Sequence, residues 1–290
     1  MNFTKLQGAG NDFVLVETSD VERSWSPLAV AICDRRFGIG ADGLILLMPS
    51  EVASCKMRIF NADGSEAEAC GNGLRCLVRY ILEKGLKAQG DGDKELSIET
   101  IAGTRKARVT RTKGRPAEIR VSLGVPRFTA KDIPVAIEEG SADLVDIKSM
   151  LSYTVRVTNR RLKLNFVSMG NPHAIHFSRR PVAGFPLAQL GPEVEHHRMF
   201  PQRTNFEVAR VLSRGQIEAR VWERGVGETL ACGSGAAAVA VAAQLNSLVD
   251  DRVGVKLPGG ILDVAWDRVG EVWLGGPAEI VFTGEWPGEV

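Results

Sequence analysis

Apolar and polar positions alternate with a period of two over many short runs: Phe13 to Glu17, Lys56 to Phe60, Glu118 to Leu123, Phe206 to Val211, Gln216 to Trp222 and Ala278 to Thr283. Successive side chains of a strand point to opposite faces of a sheet, so this pattern predicts a chain built mostly of strands. Glycine (31) and proline (13) punctuate the runs at short intervals. Frequent short turns suit antiparallel pairing more than long crossover connections.

Two stretches break the period of two. After Cys70-Gly71-Asn72-Gly73, the residues Leu74, Leu77, Val78, Ile81 and Leu82 recur at helical spacing and stop at Gly85. That spacing predicts an amphipathic helix with a glycine cap at its C-terminus. After Cys232-Gly233-Ser234-Gly235 comes the run Ala236 to Ala243, apolar on every face. Such a helix belongs inside a core. Each of the two helices has a cysteine at its N-terminal mouth.

The chain also matches itself. Met57 to Asn61 is a strand-like run, and Cys70 lies nine residues beyond Asn61; Ala219 to Glu223 is another, and Cys232 lies nine residues beyond Glu223. Gly10-Asn11 and Gly170-Asn171 stand about 60 residues before the respective cysteines, and a repeated spacing of this kind marks a repeated structural unit. The expected fold is α+β, with two pseudo-symmetric domains, each a barrel-like antiparallel or mixed sheet around a central helix. One would take 1–127 plus 277–290 and carry Cys70; the other would take 128–276 and carry Cys232. Residues 87–95 are expected as a polar loop, and 127–150, with Pro134 and its acidic clusters, as the crossing between the halves.

Composition narrows the function. Lys and Arg total 36 against 35 Asp and Glu, a net charge of +1, which gives no electrostatic case for nucleic acid or an anionic membrane as partner. No basic segment leads into an apolar run at the start, and no stretch of ~18 apolar residues occurs. A cytoplasmic location is expected. Five cysteines, an odd number, do not suit a secreted disulfide framework. Cys33, Cys55 and Cys76 read as small core residues, and His196-His197 as an exposed loop with no zinc-like spacing around it.

Cys70 and Cys232 read differently. The first N–H groups of a helix lack internal acceptors and add to the macrodipole, so a thiol there is drawn toward thiolate, from a pKa near ~8.5 to roughly 3.5–7.5. Flanking glycines let the backbone approach an anion, so Gly71 to Gly73 and Gly233 to Gly235 can cradle a carboxylate. Deprotonating the Cα of an amino acid places charge on that carboxylate. Inverting the centre takes one group to remove a proton and another to return one on the opposite face. A duplicated thiol supplies both. No lysine lies in a pyridoxal-phosphate context, and Gly8-Ala9-Gly10 matches only part of a nucleotide fingerprint and is followed by a strand, so no cofactor and no metal are expected.

KLQGAGNDFVLVE, FNADGSEAEACGNGLRC, MGNPHAIHF and ERGVGETLACGSGAAA together resemble the diaminopimelate epimerase family, and the resemblance runs end to end. It implies cofactor-independent interconversion of LL- and meso-2,6-diaminopimelate, on the route to lysine and peptidoglycan precursors, by a homodimer. By carry-over, Cys70 and Cys232 are the acid/base pair, with Gly71, Asn72, Gly233 and Ser234 as donors to the reacting carboxylate. Asn11, Asn61, Asn171, Asn205, Glu223 and Arg224 would bind the substrate, and His173 with Glu223 would tune a thiol. Gly43 stands where some relatives have Gln and offers no side-chain amide.

Three other functions use some of the same features. A relative could racemise proline, hydroxyproline or histidine instead. A cysteine hydrolase could use Cys232 with His173, but this leaves Cys70 and the duplication unexplained. A binding protein could have kept the fold and lost catalysis, which the presence of both thiols opposes.

Overall fold

A computed structural model describes residues 1–68, 70–85, 94–110, 117–137, 144–158 and 160–287. The chain divides into two units, Met1–Ser122 with Gly275–Val290, and Leu123–Leu274. Residues 123–127, expected with the first half, belong to the second. Leu123 N–H donates to Val272 O, Val272 N–H donates to Gly124 O, and Arg127 bridges to Ser168. The described part of 127–150 likewise lies wholly within the second unit rather than crossing between units.

The first unit runs β1 (Asn2–Gly8), β2 (Asn11–Glu17), α1 (Ser26–Cys33), β3 (Gly43–Met48), β4 (Cys55–Asn61), β5 (Glu66–Ala67), α2 (Gly71–Glu83), β6 (Lys94–Thr100), β7 (Gly103–Thr110) and β8 (Glu118–Ser122). Within it β1/β2, β3/β4 and β6/β7 pair antiparallel, while β2/β3 and β4/β6 pair parallel. Lys94 and Glu95 therefore open a strand; the remainder of the expected 87–95 loop lies outside the described residues. Helix α2 packs on β1, β2, β3, β4, β7 and β8, which wrap it.

The second unit repeats the plan: β9 (Leu144–Ile147), β10 (Met150–Val157), β11 (Arg160–Ser168), β12 (Pro172–Phe177), α3 (Leu187–Glu195), β13 (Asn205–Ser213), β14 (Gln216–Glu223), β15 (Gly227–Thr229), α4 (Gly233–Leu245), β16 (Arg252–Leu257) and β17 (Gly260–Ala265). Antiparallel β11/β12, β13/β14 and β16/β17 and parallel β12/β13 and β14/β16 match the first unit pair for pair. Strand β18 (Trp273–Gly275) lies at the border, and β19 (Glu279–Glu285) returns to pair with β1.

The two central helices differ as the sequence pattern predicts. Helix α2 buries Leu74, Leu77, Val78 and Ile81 and leaves Leu82 half-buried and Glu83 exposed, whereas α4 has Ala236 to Ala243 all inaccessible. Gly85 sits in the left-handed region just past α2, where its N–H reaches Leu82 O; Ser247 takes that conformation past α4. His196 follows α3 as its C-cap residue, exposed in the turn beyond Glu195, and His197 is half-buried next to it.

Candidate active site

In the first unit Cys70 is the N-cap residue of α2, in an extended conformation, and its Sγ accepts the backbone N–H of Gly73 at 3.4 Å. In the second unit Cys232 caps α4 in the same way, accepting from Gly235 at 3.4 Å. A side-chain acceptor at the N-cap satisfies one of the orphan N–H groups of the first turn, and here that acceptor is sulfur. Gly71 and Gly233 open the two helices, so both expected carboxylate cradles lie in first turns.

The side chains around each thiol also repeat. Asn11 Oδ1 accepts from Asn72 Nδ2 at 3.1 Å and lies 3.9 Å from the Cys70 thiol. Asn171 Nδ2 donates to Ser234 Oγ at 3.4 Å, and that hydroxyl lies 3.5 Å from Cys232 Sγ. Asn11, Asn72 and Cys70 thus come together in one unit, and Asn171, Ser234 and Cys232 in the other. Asn61 is exposed and bonds Ser65 Oγ.

Glu223 accepts from Thr229 Oγ1, and Arg224 is exposed, its guanidinium bonded to Gln202 O. Asn205 is buried and braces backbone: Nδ2 donates to Pro172 O at 2.9 Å and Oδ1 accepts from Arg224 N at 2.9 Å. At Gly43, which occupies the position equivalent to Asn205, a Cβ would stand 2.7 Å from Phe60 O. A side chain there would require the Phe60 carbonyl to move aside.

The expectation of a thiol drawn toward thiolate fails for Cys232. Burial raises its pKa well above the usual thiol range, and the carboxylates of Glu223 and Glu207 add to the rise. The hydrogen bonds from Ser234 and Gly235 work the other way and are outweighed. Desolvation and like charge win over the helix terminus because the thiol is only 6% exposed. Cys33 and Cys76 are buried thiols that burial pushes up to about 12, and Cys55 is buried as well.

Three groups beside the site lie outside the residues that the sequence motifs assign to it. Glu207 is fully buried and its Oε1 lies 2.7 Å from His173 Nδ1. Arg75 is fully buried one turn into α2, donating to Asn72 Oδ1 and Gly71 O. Asp42 accepts from Asn11 Nδ2 at 2.7 Å and is itself held by Arg35. Only the parity of Glu207, in line with buried Ala209, hinted that a charge points inward. Among the described residues no group of three or more acidic, histidine or cysteine side chains is arranged to hold a metal ion. No described helix is long and apolar enough to cross a membrane.

In fold the chain is similar to a probable proline racemase from Agrobacterium radiobacter K84, with a TM-score of 0.70, 14% identity, and 99% of this chain and 93% of that one covered. Its sequence is 47% identical to the diaminopimelate epimerase of Moorella thermoacetica and 45% identical to that of Carboxydothermus hydrogenoformans, over 99% of this chain and of each relative. An α+β fold of duplicated units and relatives of this identity make the chain an isomerase of the epimerase class, acting on a small molecule. The model of the diaminopimelate epimerase family matches residues 3–129 and 165–281, and the chain belongs to that family.

Proposed function

We propose that the chain interconverts LL- and meso-2,6-diaminopimelate without a cofactor, serving lysine and peptidoglycan precursor synthesis. Cys70 and Cys232 are its acid/base pair. The observation that carries this reading is the repeated N-cap cysteine: one sulfur per unit, each 3.4 Å from the N–H three residues on, each beside an Asn-linked polar side chain. One sulfur, as thiolate, takes the Cα proton, and the other, as thiol, delivers a proton to the opposite face. The first-turn N–H groups of α2 and α4 stabilise charge developing on the reacting carboxylate.

Asn72 and Ser234 belong with Gly71 and Gly233 at the reacting end. Asn11, Asn61, Asn171, Asn205, Glu223 and Arg224 contact the substrate, with Arg224 suited to the distal carboxylate. Cytoplasmic location and a homodimer complete the reading; light scattering of the purified chain reports the oligomer directly.

Incubation of LL-diaminopimelate in D2O tests the reading. Conversion to meso with deuterium gained at Cα is expected, and Cys70→Ala and Cys232→Ala each abolish conversion. Full turnover in either variant overturns the two-base assignment, and exchange confined to proline or hydroxyproline in a substrate panel overturns the choice of substrate.

A further inference from the structure

The repeat allows each site residue to be compared with its counterpart in the other unit. In the first unit Phe13 pairs with Gly43 across β2/β3, and Ile45 with Ile59 across β3/β4. In the second, His173 pairs with Asn205 across β12/β13, and Glu207 with Val221 across β13/β14. The central helices give the same correspondence: a Cβ at Gly73 would meet Ile59 and Ile45, and one at Gly235 would meet Val221 and Glu207. Phe13 thus stands for His173, and Ile45 for Glu207.

All four side chains are buried, at 3% exposure or less. The fold therefore fills these two positions with hydrocarbon in one unit and with an ionisable pair in the other. Burying such a pair costs desolvation that an apolar pair avoids. Packing does not require it, since the first unit does without it.

The second unit's pair is connected. Glu207 Oε1 is 2.7 Å from His173 Nδ1, and Asn171 Oδ1 is 3.0 Å from His173 Nε2. Asn171 in turn donates to Ser234 Oγ, beside Cys232. Both ring nitrogens face oxygen. With Asn171 Oδ1 as acceptor, Nε2 must carry a proton, and the pair then holds a second proton on Nδ1 or on the carboxyl. Glu207 Oε2 is buried with no hydrogen-bond partner, so the carboxyl is committed to the imidazole.

Resting on the epimerase reading above, we propose that Glu207 is a positioning residue for that reaction: it fixes His173 with its proton on Nε2, aimed at Asn171, and retains a second proton in the pair. His173, not Glu207, stands next to the residues assigned to the substrate. The charged and titratable groups around the carboxyl are His173 on β12, Glu223 on β14 and Cys232 at the start of α4. Burial and Glu223 raise the Glu207 carboxyl while His173 lowers it, and the net direction is upward, consistent with a carboxyl able to share a proton.

The test compares Glu207→Gln, Glu207→Asp and the double variant His173→Phe with Glu207→Ile, which copies Phe13 and Ile45. Glu207→Gln is expected to lose about 10–100-fold in kcat with KM changed less than about 3-fold, and to displace a limb of the kcat pH profile. Glu207→Asp should recover part of the loss. Nitrogen-detected NMR should show His173 Nδ1 in contact with a shared proton in the wild type and a changed Nδ1 signal in Glu207→Gln. The double variant should melt near the wild-type temperature and lack epimerase activity.

Wild-type kcat and pH profile in Glu207→Gln, or an unchanged His173 signal, overturns the proposal. So does a double variant that melts far below the wild type, because the pair would then serve the fold. If the wild-type chain fails to exchange the α-proton of diaminopimelate, the epimerase reading fails instead, while the NMR comparison still decides whether Glu207 sets the protonation of His173.

Discussion

Cys232 Sγ accepts the backbone N–H of Gly235 at 3.4 Å, and a Cβ built on that glycine would lie 3.0 Å from Glu207 Oε1 and 3.4 Å from the Cys232 Cβ. The glycine keeps thiol, carboxylate and helix start within one small volume. Gly235→Ala is expected to push Glu207 from His173 and to lower kcat by at least about 10-fold. Gly73→Ala, whose nearest neighbours are the side-chain tips of Ile59 and Ile45 and the Cys70 Cβ, should cost less. Steady-state kinetics of the two variants decide this; equal losses would contradict it.

The high pKa of Cys232 has a source that can be removed. Burial comes first, and the Glu223 carboxylate second. Taking away that negative charge favours thiolate, so Glu223→Gln should bring the midpoint of Cys232 alkylation down by roughly one pH unit. Iodoacetamide labelling followed by mass spectrometry across pH 7 to 11, a range spanning roughly the usual thiol region, reads it.

Arg75 gives the first unit the opposite charge. Its guanidinium is buried, bonded to two neutral oxygens, and close enough to Cys70 and Cys76 to interact with both sulfurs. Arg75→Leu removes a buried cation that has no carboxylate partner among the described residues, so the melting temperature should hold or rise. Alkylation of Cys70 at pH 8 should slow, since thiolate loses a favourable charge. A large fall in melting temperature would show that the guanidinium chiefly holds the fold.

Asp12 links pH to stability beside the group that orients Asn11, since Arg35 bonds both Asp12 and Asp42. Burial works to raise its carboxyl, but Arg35 at 2.7 Å and Lys5 at 2.6 Å outweigh it and hold the pKa at about 2, below the ordinary 3.8. A depressed folded-state pKa contributes stability that is fully present above the ordinary value and is lost as pH falls toward the folded one. The melting temperatures of wild type and Asp12→Asn should therefore differ at pH 6 and converge as the pH approaches about 2. A gap that persists at low pH would place the effect elsewhere.

Gly191 on α3 faces the indole of Trp222, where a Cβ would come within 2.4 Å of the ring. Gly191→Ala should destabilise by about 1–3 kcal/mol through overpacking, measurable by urea denaturation. Trp222 Nε1 bonds Glu195 at 2.8 Å, which anchors the ring against moving away. Recovery in Gly191→Ala with Trp222→Leu would confirm the clash.

Sequence alone determined the strands, the two central helices and the repeat, because each is a local pattern: period two, period 3.6, and a cysteine nine residues after a strand end. The residues capping α2 and α4 followed from the same local grammar, down to Gly85 past the first helix. Tertiary structure decided what surrounds each cap. Glu207 and His173 are 34 residues apart and meet only through β12/β13 pairing, and Arg35 reaches Asp12 across 23 residues.

The direction of the Cys232 titration was likewise beyond the sequence. A helix N-terminus favours thiolate wherever it occurs, but desolvation and the placement of Glu223 and Glu207 depend on packing, and here they outweigh it. The pattern along the chain gave the two units one plan. Their different chemistry came from which distant side chains, Phe13 and Ile45 or His173 and Glu207, the same strand pairings bring beside each helix.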